Sequence, residues 1–284
     1  MNRWLIYVRE RFSLPVHLLL AGGYVVGGFA VTGRPTTMTS TIVATAGILL
    51  FLFELRLMDE LKDFAKDATG HPKRPLPRGL LGVSEVRRVI SVLLLAMIAF
   101  GGAAALLVNP LSGILYLAMV AYLFLMYREF FAGAWLGRRP FLYAAVHQVV
   151  GGLVALFPVS LLLPGATFTR ASLGWSLLTL GGFFGYEICR KLDPKAPHEL
   201  GYYAEHYGRG RTFLVLFVCL CLGAFGAQLC GALKFTAPSA LILLAGYGIM
   251  ALVPRLFRFV EGLAILNLVM SLYGTLIARL IARR

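Results

Sequence analysis

The stretch Leu55–Gly79 reads LRLMDELKDFAKDATGHPKRPLPRG, and the rest of the chain is organised around it. It begins inside a long apolar run, becomes acidic at Asp59, and ends in a basic segment that contains prolines. An apolar run that leads directly into charged residues is typical of a membrane helix that extends past the hydrocarbon layer. We therefore expect this stretch to lie where the bilayer meets water.

Four carboxylates of this stretch, those of Asp59, Glu60, Asp63 and Asp67, fall on one arc of a helix. At about 100° per residue they lie at roughly 0°, 100°, 40° and 80° around the axis. Carboxylates crowded in this way repel one another, and near a bilayer each is costly to desolvate. A shared cation relieves both costs, and oxygen ligands in this number suit Mg²⁺. The arc therefore predicts a magnesium site.

The basic segment that follows carries Lys73, Arg74 and Arg78, which are natural partners for phosphate oxygens. Carboxylates that hold a divalent cation, together with the phosphate bound to that cation, form a familiar kind of binding site. We therefore expect a phosphate-containing ligand at the end of this helix.

The stretch also resembles the first signature of the UbiA-type intramembrane prenyltransferases. That family usually shows N-D-x-x-D-x-x-x-D, followed at the same distance by R-P-[IL]-P-x-G. Here Asp59 occupies the Asn position and Glu60 that of the first Asp, whereas Asp63, Asp67 and Arg74–Gly79 match directly.

This resemblance implies a magnesium-dependent enzyme that moves an isoprenyl group from a prenyl diphosphate to a lipophilic, aromatic acceptor inside the membrane. Asp63 and Asp67 are then the catalytic carboxylates, with Asp59 and Glu60 as further metal ligands. Lys73, Arg74 and Arg78 are expected to bind the diphosphate.

A second cluster follows a later apolar run, in the stretch YEICRKLDPKAPHELGYYAEHYGRGR. The family usually carries a second acidic motif here, but Arg190 and Lys191 stand three and four residues after Glu187. Asp193 lies about 240° around a continuous helix from Glu187, so it joins that face only if the helix unwinds near Pro194. We expect Glu187 and Asp193 as metal ligands and the two cations on the diphosphate. A plain Glu187–Lys191 surface pair stays open as the alternative.

Other polar residues near the predicted membrane surface are further candidates. Arg56 falls at about 60° on the acidic arc, where it pairs with a carboxylate or contacts the diphosphate. Polar groups inside a membrane helix are functional candidates by default, although an interhelical hydrogen bond explains them as well. The substrate-pocket candidates are Arg56, His147, Gln148 and Tyr186, and Arg128 is a further diphosphate candidate.

Composition places the chain among membrane proteins, because 59% of its 284 residues are hydrophobic and only 14% are charged. The net charge of +14 does not indicate a nucleic-acid partner, since the basic residues lie in short connections between apolar runs. We interpret them as topology determinants and contacts to anionic lipids. The four cysteines lack metal-binding spacing and are expected to be small buried side chains.

The apolar runs predict an all-α membrane protein, a bundle of about nine transmembrane helices that forms a single domain over residues 1–284. Two long polar connections, at about 63–85 and 192–211, follow the second and sixth spans and are expected on the same, cytoplasmic side. The predicted spans are 14–31, 40–62, 86–108, 112–128, 140–162, 171–191, 212–233, 237–253 and 258–280.

Loop charges set the predicted orientation, because Lys and Arg concentrate at the N-terminus and in the connections on its side. The opposite connections hold Arg34, Arg170 and Lys234. A site that faces the cytoplasm, in a bacterial inner membrane, is therefore expected. Nine spans place Arg279, Arg283 and Arg284 on the other side, where we expect charges to be tolerated at the chain end.

Other classes of protein fit part of the pattern. A terpene cyclase of the same superfamily would use the same metal site and let the cation attack its own chain. A cation transporter would explain carboxylates within a membrane, but these cluster at one end and not near the midplane. A lipid-binding protein without catalysis is the remaining alternative.

Overall fold

The computed structural model describes residues 2–193 and 203–282, and within these ranges its regular structure is helical, with no strand. The helix stop predicted at Pro194, much of the second polar connection, and Arg283 and Arg284 lie outside the described residues. The α-helices in chain order are α1 Arg3–Arg11, α2 Leu14–Thr32, α3 Met38–Lys62, α4 Phe64–Gly70, α5 Val83–Leu107, α6 Pro110–Tyr127, α7 Gly133–Gly137, α8 Pro140–Leu162, α9 Arg170–Arg190, α10 Tyr203–Leu229, α11 Leu233–Leu252 and α12 Phe257–Ala282.

The all-α membrane bundle predicted from composition is confirmed. In the described part of the chain, 8 helices are long and apolar enough to cross a membrane, namely α2, α3, α5, α6, α8, α10, α11 and α12. The remaining predicted span corresponds to α9, a helix of 21 residues. Its glycines, serines and Glu187 make it less apolar than the other eight, so length and composition alone do not mark it as a ninth span.

Several helix ends follow from local sequence. Thr37 caps α3 by accepting a hydrogen bond from the Ser40 amide, and Thr169 caps α9 in the same way. Pro110 and Pro140 begin α6 and α8, where a missing backbone N–H costs nothing. These signals explain why the predicted spans coincide with observed helices to within a few residues at most ends.

The helices pack in succession around the molecule. Contacts run from α2 to α3, then to α5, α6, α8, α9 and α12, and α12 returns to α2. α10 and α11 pack outside this ring, α10 against α9 and α11 against α12. The space enclosed by α3, α8 and α9 is where the functional candidates meet.

Small residues let these helices approach closely, as expected in lipid. A Cβ added to Gly181 of α9 would lie only 2.6 Å from the carbonyl oxygen of Cys219 in α10. Hydroxyl groups also bridge helices, because Tyr116 donates to the Gly47 carbonyl at 3.1 Å and Ser176 donates to the Gly152 carbonyl at 3.0 Å. The bundle is therefore fixed by close backbone contact and buried hydrogen bonds.

The N-terminal helix α1 is a short element that the sequence did not predict. Its Trp4 donates from Nε1 to Glu85 at the start of α5, over 2.9 Å. Its last turn carries Glu10 and Arg11, which pair with Arg78 and Glu60. α1 is thereby fixed to α3, to the basic segment and to the start of α5.

Arg279, which a count of nine spans places on the non-cytoplasmic side, has a clear structural role. Its guanidinium donates to the carbonyl oxygens of Phe29, Ala30 and Gly33 at 3.2, 3.2 and 2.5 Å. These carbonyls belong to the end of α2, where a positive charge also complements the helix dipole. Arg279 therefore caps the end of α2.

Candidate active site

A cavity of about 630 Å³ lies between α3, α4, α8 and α9. Its polar end is formed where α3 and α9 end and α8 begins. Its other end is apolar, because Phe51, Leu52 and Leu55 precede the acidic residues on α3 and face Val150 and Val154 of α8. From Phe51 to Asp63 the wall extends about 18 Å at about 1.5 Å per residue. One cavity thus joins a charged end to a long apolar one.

Three of the four predicted carboxylates, those of Asp59, Asp63 and Asp67, line this cavity. α3 ends at Lys62, and Asp63 forms the junction to α4 with φ −87° and ψ 0°. Backbone hydrogen bonds nevertheless continue across it, from the Asp63 amide to the Asp59 carbonyl at 2.9 Å and from the Asp67 amide to the Asp63 carbonyl at 2.8 Å. The three side chains therefore keep the common face predicted from helical spacing.

The fourth carboxylate, that of Glu60, has a different position from the one predicted. It is 2% exposed and accepts hydrogen bonds from Arg11 Nε at 2.5 Å and Arg56 Nη2 at 3.1 Å. Glu60 stands at the edge of the arc, about 100° from Asp59, and the cavity is centred near Asp59 itself. Glu60 and Arg56 thus form a buried ion pair beside the cavity, and the pairing alternative for Arg56 is the one observed.

The basic segment is divided between two places. Arg74 lines the cavity and donates to both carboxylate oxygens of Asp67 at 2.5 Å. Arg78 instead donates to both oxygens of Glu10 at 2.9 Å and to the Lys73 carbonyl at 2.9 Å. Lys73 lines a neighbouring depression beside α1, which shares His71 and Arg74 with this cavity. Of the three predicted diphosphate cations on this segment, Arg74 is the one that the structure places at the main cavity.

The second cluster reaches the same cavity through Glu187, Arg190 and Lys191. Glu187 accepts from Arg190 Nε at 2.7 Å and lies 2.8 Å from Lys191 Nζ. α9 ends at Arg190, so Asp193 lies beyond the helix, and it is not among the residues that line the cavity. This end of α9 therefore presents a carboxylate between two cations.

The UbiA prenyltransferase family model matches residues 18–261 of the chain. This chain belongs to the UbiA family. The resemblance carried by Asp59–Asp67 and Arg74–Gly79 is thereby confirmed. The charged end of the cavity is built from the stretch that carries this resemblance and from the end of α9. No curated protein sequence matches the chain.

Two solved structures share the UbiA fold of this chain. A structure described as giving structural and mechanistic insights into the biosynthesis of digeranylgeranylglyceryl phosphate synthase in membranes is 14% identical, with a TM-score of 0.70, and the match covers 99% of this chain and 100% of that one. The apo structure of a UbiA homolog from Aeropyrum pernix K1 is 16% identical, with a TM-score of 0.67, covering 93% of this chain and 98% of that one. At these identities the likeness concerns the fold.

The charges around Asp63 indicate why this UbiA site suits a cation. Burial and the neighbouring charge of Asp59 raise the pKa of the Asp63 carboxyl above its ordinary value. Asp59 lies 3.3 Å from Lys62, and Asp67 is held by Arg74, so Asp63 stands between two carboxylates that are already paired. A divalent cation at this point would offset the repulsion that Asp63 experiences.

The donor set matches magnesium in kind. Within the described part of the chain, no three His, Cys, Asp or Glu side chains are grouped closely enough to hold a metal ion by themselves. Mg²⁺ commonly binds through one or two carboxylates and completes its octahedron with waters and substrate phosphates. Asp59 and Asp63, which are adjacent on the cavity wall, fit that pattern.

The wall opposite the acidic residues is formed by side chains around Tyr143 on α8. Tyr143 donates from its hydroxyl to Glu129 Oε1 at 3.2 Å, and Lys62 Nζ lies 5.8 Å from the centre of its ring. His147, one turn later, stacks on Tyr143 with ring centres 4.1 Å apart. All four side chains line the cavity, and His147 is the one that was predicted from sequence.

Of the remaining predicted residues, one lines the cavity and two lie in packing contacts. Gln148 lines the cavity. Arg128 lies over the ring of Phe131, 5.4 Å from its centre. The buried apolar side chains of the bundle form two clusters, and Tyr186 packs against both. The structure thus brings Gln148 to the site and places Arg128 and Tyr186 in packing contacts.

Sequence reasoning missed several residues that line the site. Lys62 and Lys66 fall at about −60° and −20° on the same helical wheel as Asp59, so their position was available from spacing. Tyr24, Glu129 and Tyr143 come from other elements, and no local pattern marks them. The cavity-lining residues with polar side chains that were not predicted are Tyr24, Lys62, Lys66, His71, Glu129 and Tyr143.

Proposed function

We propose that this UbiA protein is a magnesium-dependent prenyltransferase that moves an isoprenyl group from a prenyl diphosphate to a lipophilic acceptor within the membrane. The observation that carries the proposal is the single cavity that joins carboxylates and cations at one end to an apolar channel at the other. A prenyl diphosphate has the same division, with a charged head and a long hydrocarbon tail.

The charged end is suited to binding and stabilising diphosphate. Arg74, Arg190 and Lys191 supply positive charge on two sides of the cavity, and guanidinium groups bind phosphate oxygens through paired hydrogen bonds. Mg²⁺ held by Asp59 and Asp63 would add positive charge where the leaving group becomes more negative. Each cation is preorganised by a carboxylate, Arg74 by Asp67 and the other two by Glu187.

The apolar end is suited to the hydrocarbon tail and to the allylic cation left when the diphosphate departs. Tyr24 and Phe183 stack with ring centres 5.5 Å apart, and both line the cavity. Aromatic faces stabilise a nearby cation, and an apolar enclosure keeps water from capturing it. The acceptor then forms a bond to the carbon that lost its diphosphate.

The test is turnover of a defined substrate. Purified protein in lipid nanodiscs would be incubated with geranylgeranyl diphosphate, with Mg²⁺ or with EDTA, and with lipophilic phenols or alcohols as acceptors. Magnesium-dependent release of pyrophosphate together with a prenylated acceptor supports the proposal. Pyrophosphate release with a cyclised hydrocarbon would identify a terpene cyclase, and the absence of any release would leave a binding protein.

We also propose that the charged end of the cavity faces the cytoplasm of a bacterium, because Lys73 and the other basic connections lie on that side. Single cysteines in a cysteine-free background test the orientation. A cysteine at Lys73 should react with membrane-impermeant reagents only in inverted vesicles, and one at Arg170 only in intact cells. The opposite labelling would reverse the orientation.

A further inference from the structure

His147 lines the cavity, and one of its ring nitrogens has no hydrogen-bond partner within the described residues. The side chain is 9% exposed, and its Nδ1 lies 2.7 Å from the carbonyl oxygen of Tyr143, one turn earlier on α8. A carbonyl can only accept a hydrogen bond, so Nδ1 carries the proton and the neutral ring offers a lone pair at Nε2. Nε2 is buried and has no hydrogen-bond partner within the described residues.

The orientation of this ring is fixed from three directions. Besides the Nδ1 hydrogen bond, the ring stacks on Tyr143 at 4.1 Å with an angle of 15°. Phe130 makes an edge-to-face contact with the same ring, with ring centres 5.4 Å apart and planes at 86°. The His147 ring is therefore held in one position.

Phe130 is presented by a strained turn. Glu129, Phe130 and Phe131 have φ values of 49°, 53° and 56°, a left-handed conformation that is unfavourable for side chains with a Cβ atom. Glu129 also accepts the hydroxyl hydrogen of Tyr143. Strain of this kind persists where the surrounding structure requires it, and here the turn supplies both the ring that holds His147 and the partner of Tyr143.

Two polar groups near this ring already have partners. The hydroxyl of Tyr143 is engaged by Glu129, and Lys62 is paired with Asp59. The acid and the two cations at the end of α9, which line the same cavity, are paired with one another. Nε2 of His147 is thus an unpartnered acceptor on a side chain that lines the cavity, which makes it a suitable proton acceptor.

We propose that His147 takes up the proton that the acceptor loses, and that the acceptor carries a hydroxyl group whose hydrogen faces Nε2. The proposal rests on the prenyltransferase function proposed above. The C1–O bond of the prenyl diphosphate breaks and its electron pair leaves with the diphosphate. The nucleophilic atom of the acceptor forms a bond to C1, and the hydroxyl proton moves to Nε2, which becomes an imidazolium.

Two substitutions separate the roles of the two ring nitrogens. In His147→Asn the amide N–H can keep the hydrogen bond to the Tyr143 carbonyl while Nε2 is lost. In His147→Gln the side chain reaches the position of Nε2 and can accept a hydrogen bond but not a proton. His17→Asn is the matched control, because His17 also directs Nδ1 at a backbone carbonyl, that of Ser13 at 2.9 Å, and lies outside the cavity.

The assay would use labelled geranylgeranyl diphosphate with a 4-alkylphenol or, separately, a 1-O-alkylglycerol, and would quantify prenylated acceptor, prenyl alcohol and pyrophosphate. We expect both variants to lose transfer by on the order of 10²–10⁴-fold, the usual worth of general-base catalysis. Pyrophosphate release should continue, with water capturing the cation as prenyl alcohol. The acceptor that the unaltered protein prenylates identifies a phenolic or an alcoholic substrate.

Chemical rescue gives a second measurement. In His147→Ala, added imidazole should restore part of the transfer without changing the affinity for geranylgeranyl diphosphate. Equal losses of transfer and pyrophosphate release, or unchanged transfer in His147→Gln, would overturn the assignment of His147 as proton acceptor. If the unaltered protein released no pyrophosphate with either acceptor, the failure would lie in the proposed function itself.

Discussion

Arg11 Nε lies 2.5 Å from Glu60 Oε1, which joins the short N-terminal helix α1 to the acidic motif of α3. The side chain of Glu60 is 1% exposed and that of Arg11 is 17% exposed, so this ion pair is largely shielded from water. Arg56 binds the same oxygen from within α3. Glu60 thus serves in this chain as a buried anchor for α1, although it stands in a motif position that the family resemblance assigns to a metal ligand.

Removing Arg11 should therefore destabilise the protein. Arg11→Gln leaves Glu60 with Arg56 alone, and the lost charged hydrogen bond should lower the free energy of unfolding by about 1.5–3 kcal/mol. Thermal unfolding in detergent would measure the change, with Arg9→Gln, an exposed neighbour on α1, as control. A double variant Arg11→Gln/Glu60→Gln that is no less stable than either single variant would show that the two side chains act through each other.

The pair between Glu10 and Arg78 should make the docking of α1 sensitive to pH. The hydrogen bond from Arg78 lowers the pKa of the Glu10 carboxyl below its ordinary value. The pair therefore stabilises the folded state fully at pH values above the pKa of Glu10 in the unfolded chain, about 4.5. This stabilisation is lost as the pH falls through the lower pKa that Glu10 has in the folded protein. Hydrogen-exchange protection factors of α1 amides should fall below pH 4.5 in the unaltered protein, and this fall should be absent in Glu10→Gln.

Asp63 should be required for turnover and dispensable for folding. Asp63→Asn removes a carboxylate that burial and Asp59 render unfavourable, so the variant should be at least as stable as the parent while losing magnesium-dependent pyrophosphate release. Glu261→Gln, at an exposed pair with Arg258, is the matched control and should retain activity. Full activity of Asp63→Asn would remove the metal-site argument.

Helical spacing predicted much of the acidic wall but not which carboxylate lies outside the cavity. It placed Asp59, Asp63 and Asp67 on one face, and they line one cavity. It could not distinguish Glu60, because periodicity gives the width of a polar arc and not the direction from which neighbouring helices approach. That direction depends on Arg11, which comes from an element that no membrane-spanning pattern could reveal.

Apolar length predicted the helices for a simple physical reason. A segment that crosses a bilayer must be long, apolar and internally hydrogen-bonded, and these requirements are visible in any sequence. The surroundings of His147 depend instead on Tyr143, Glu129 and Phe130. These side chains meet only after α6 and α8 have packed and the turn between them has adopted its strained conformation. Spacing marked His147 as a polar residue in a membrane helix but could not show which of its nitrogens is free.

The end of α9 gives the last prediction, because two roles of Glu187 lead to opposite results. If Glu187 only positions Arg190 and Lys191, which it contacts at 2.7 and 2.8 Å, then Glu187→Gln releases both cations toward the diphosphate. Affinity for geranylgeranyl diphosphate in EDTA should then stay the same or rise.

Arg190→Ala should weaken the affinity for geranylgeranyl diphosphate by about 1.5–3 kcal/mol, the worth of a charged hydrogen bond. Geranylgeraniol, which lacks the diphosphate, should bind the parent and Arg190→Ala equally well. Calorimetry with both ligands decides between the two roles of Glu187. We expect Glu187 to position the two cations, because both are already paired with its carboxylate. A loss of magnesium-dependent binding in Glu187→Gln, with binding in EDTA unchanged, would instead make Glu187 a metal ligand.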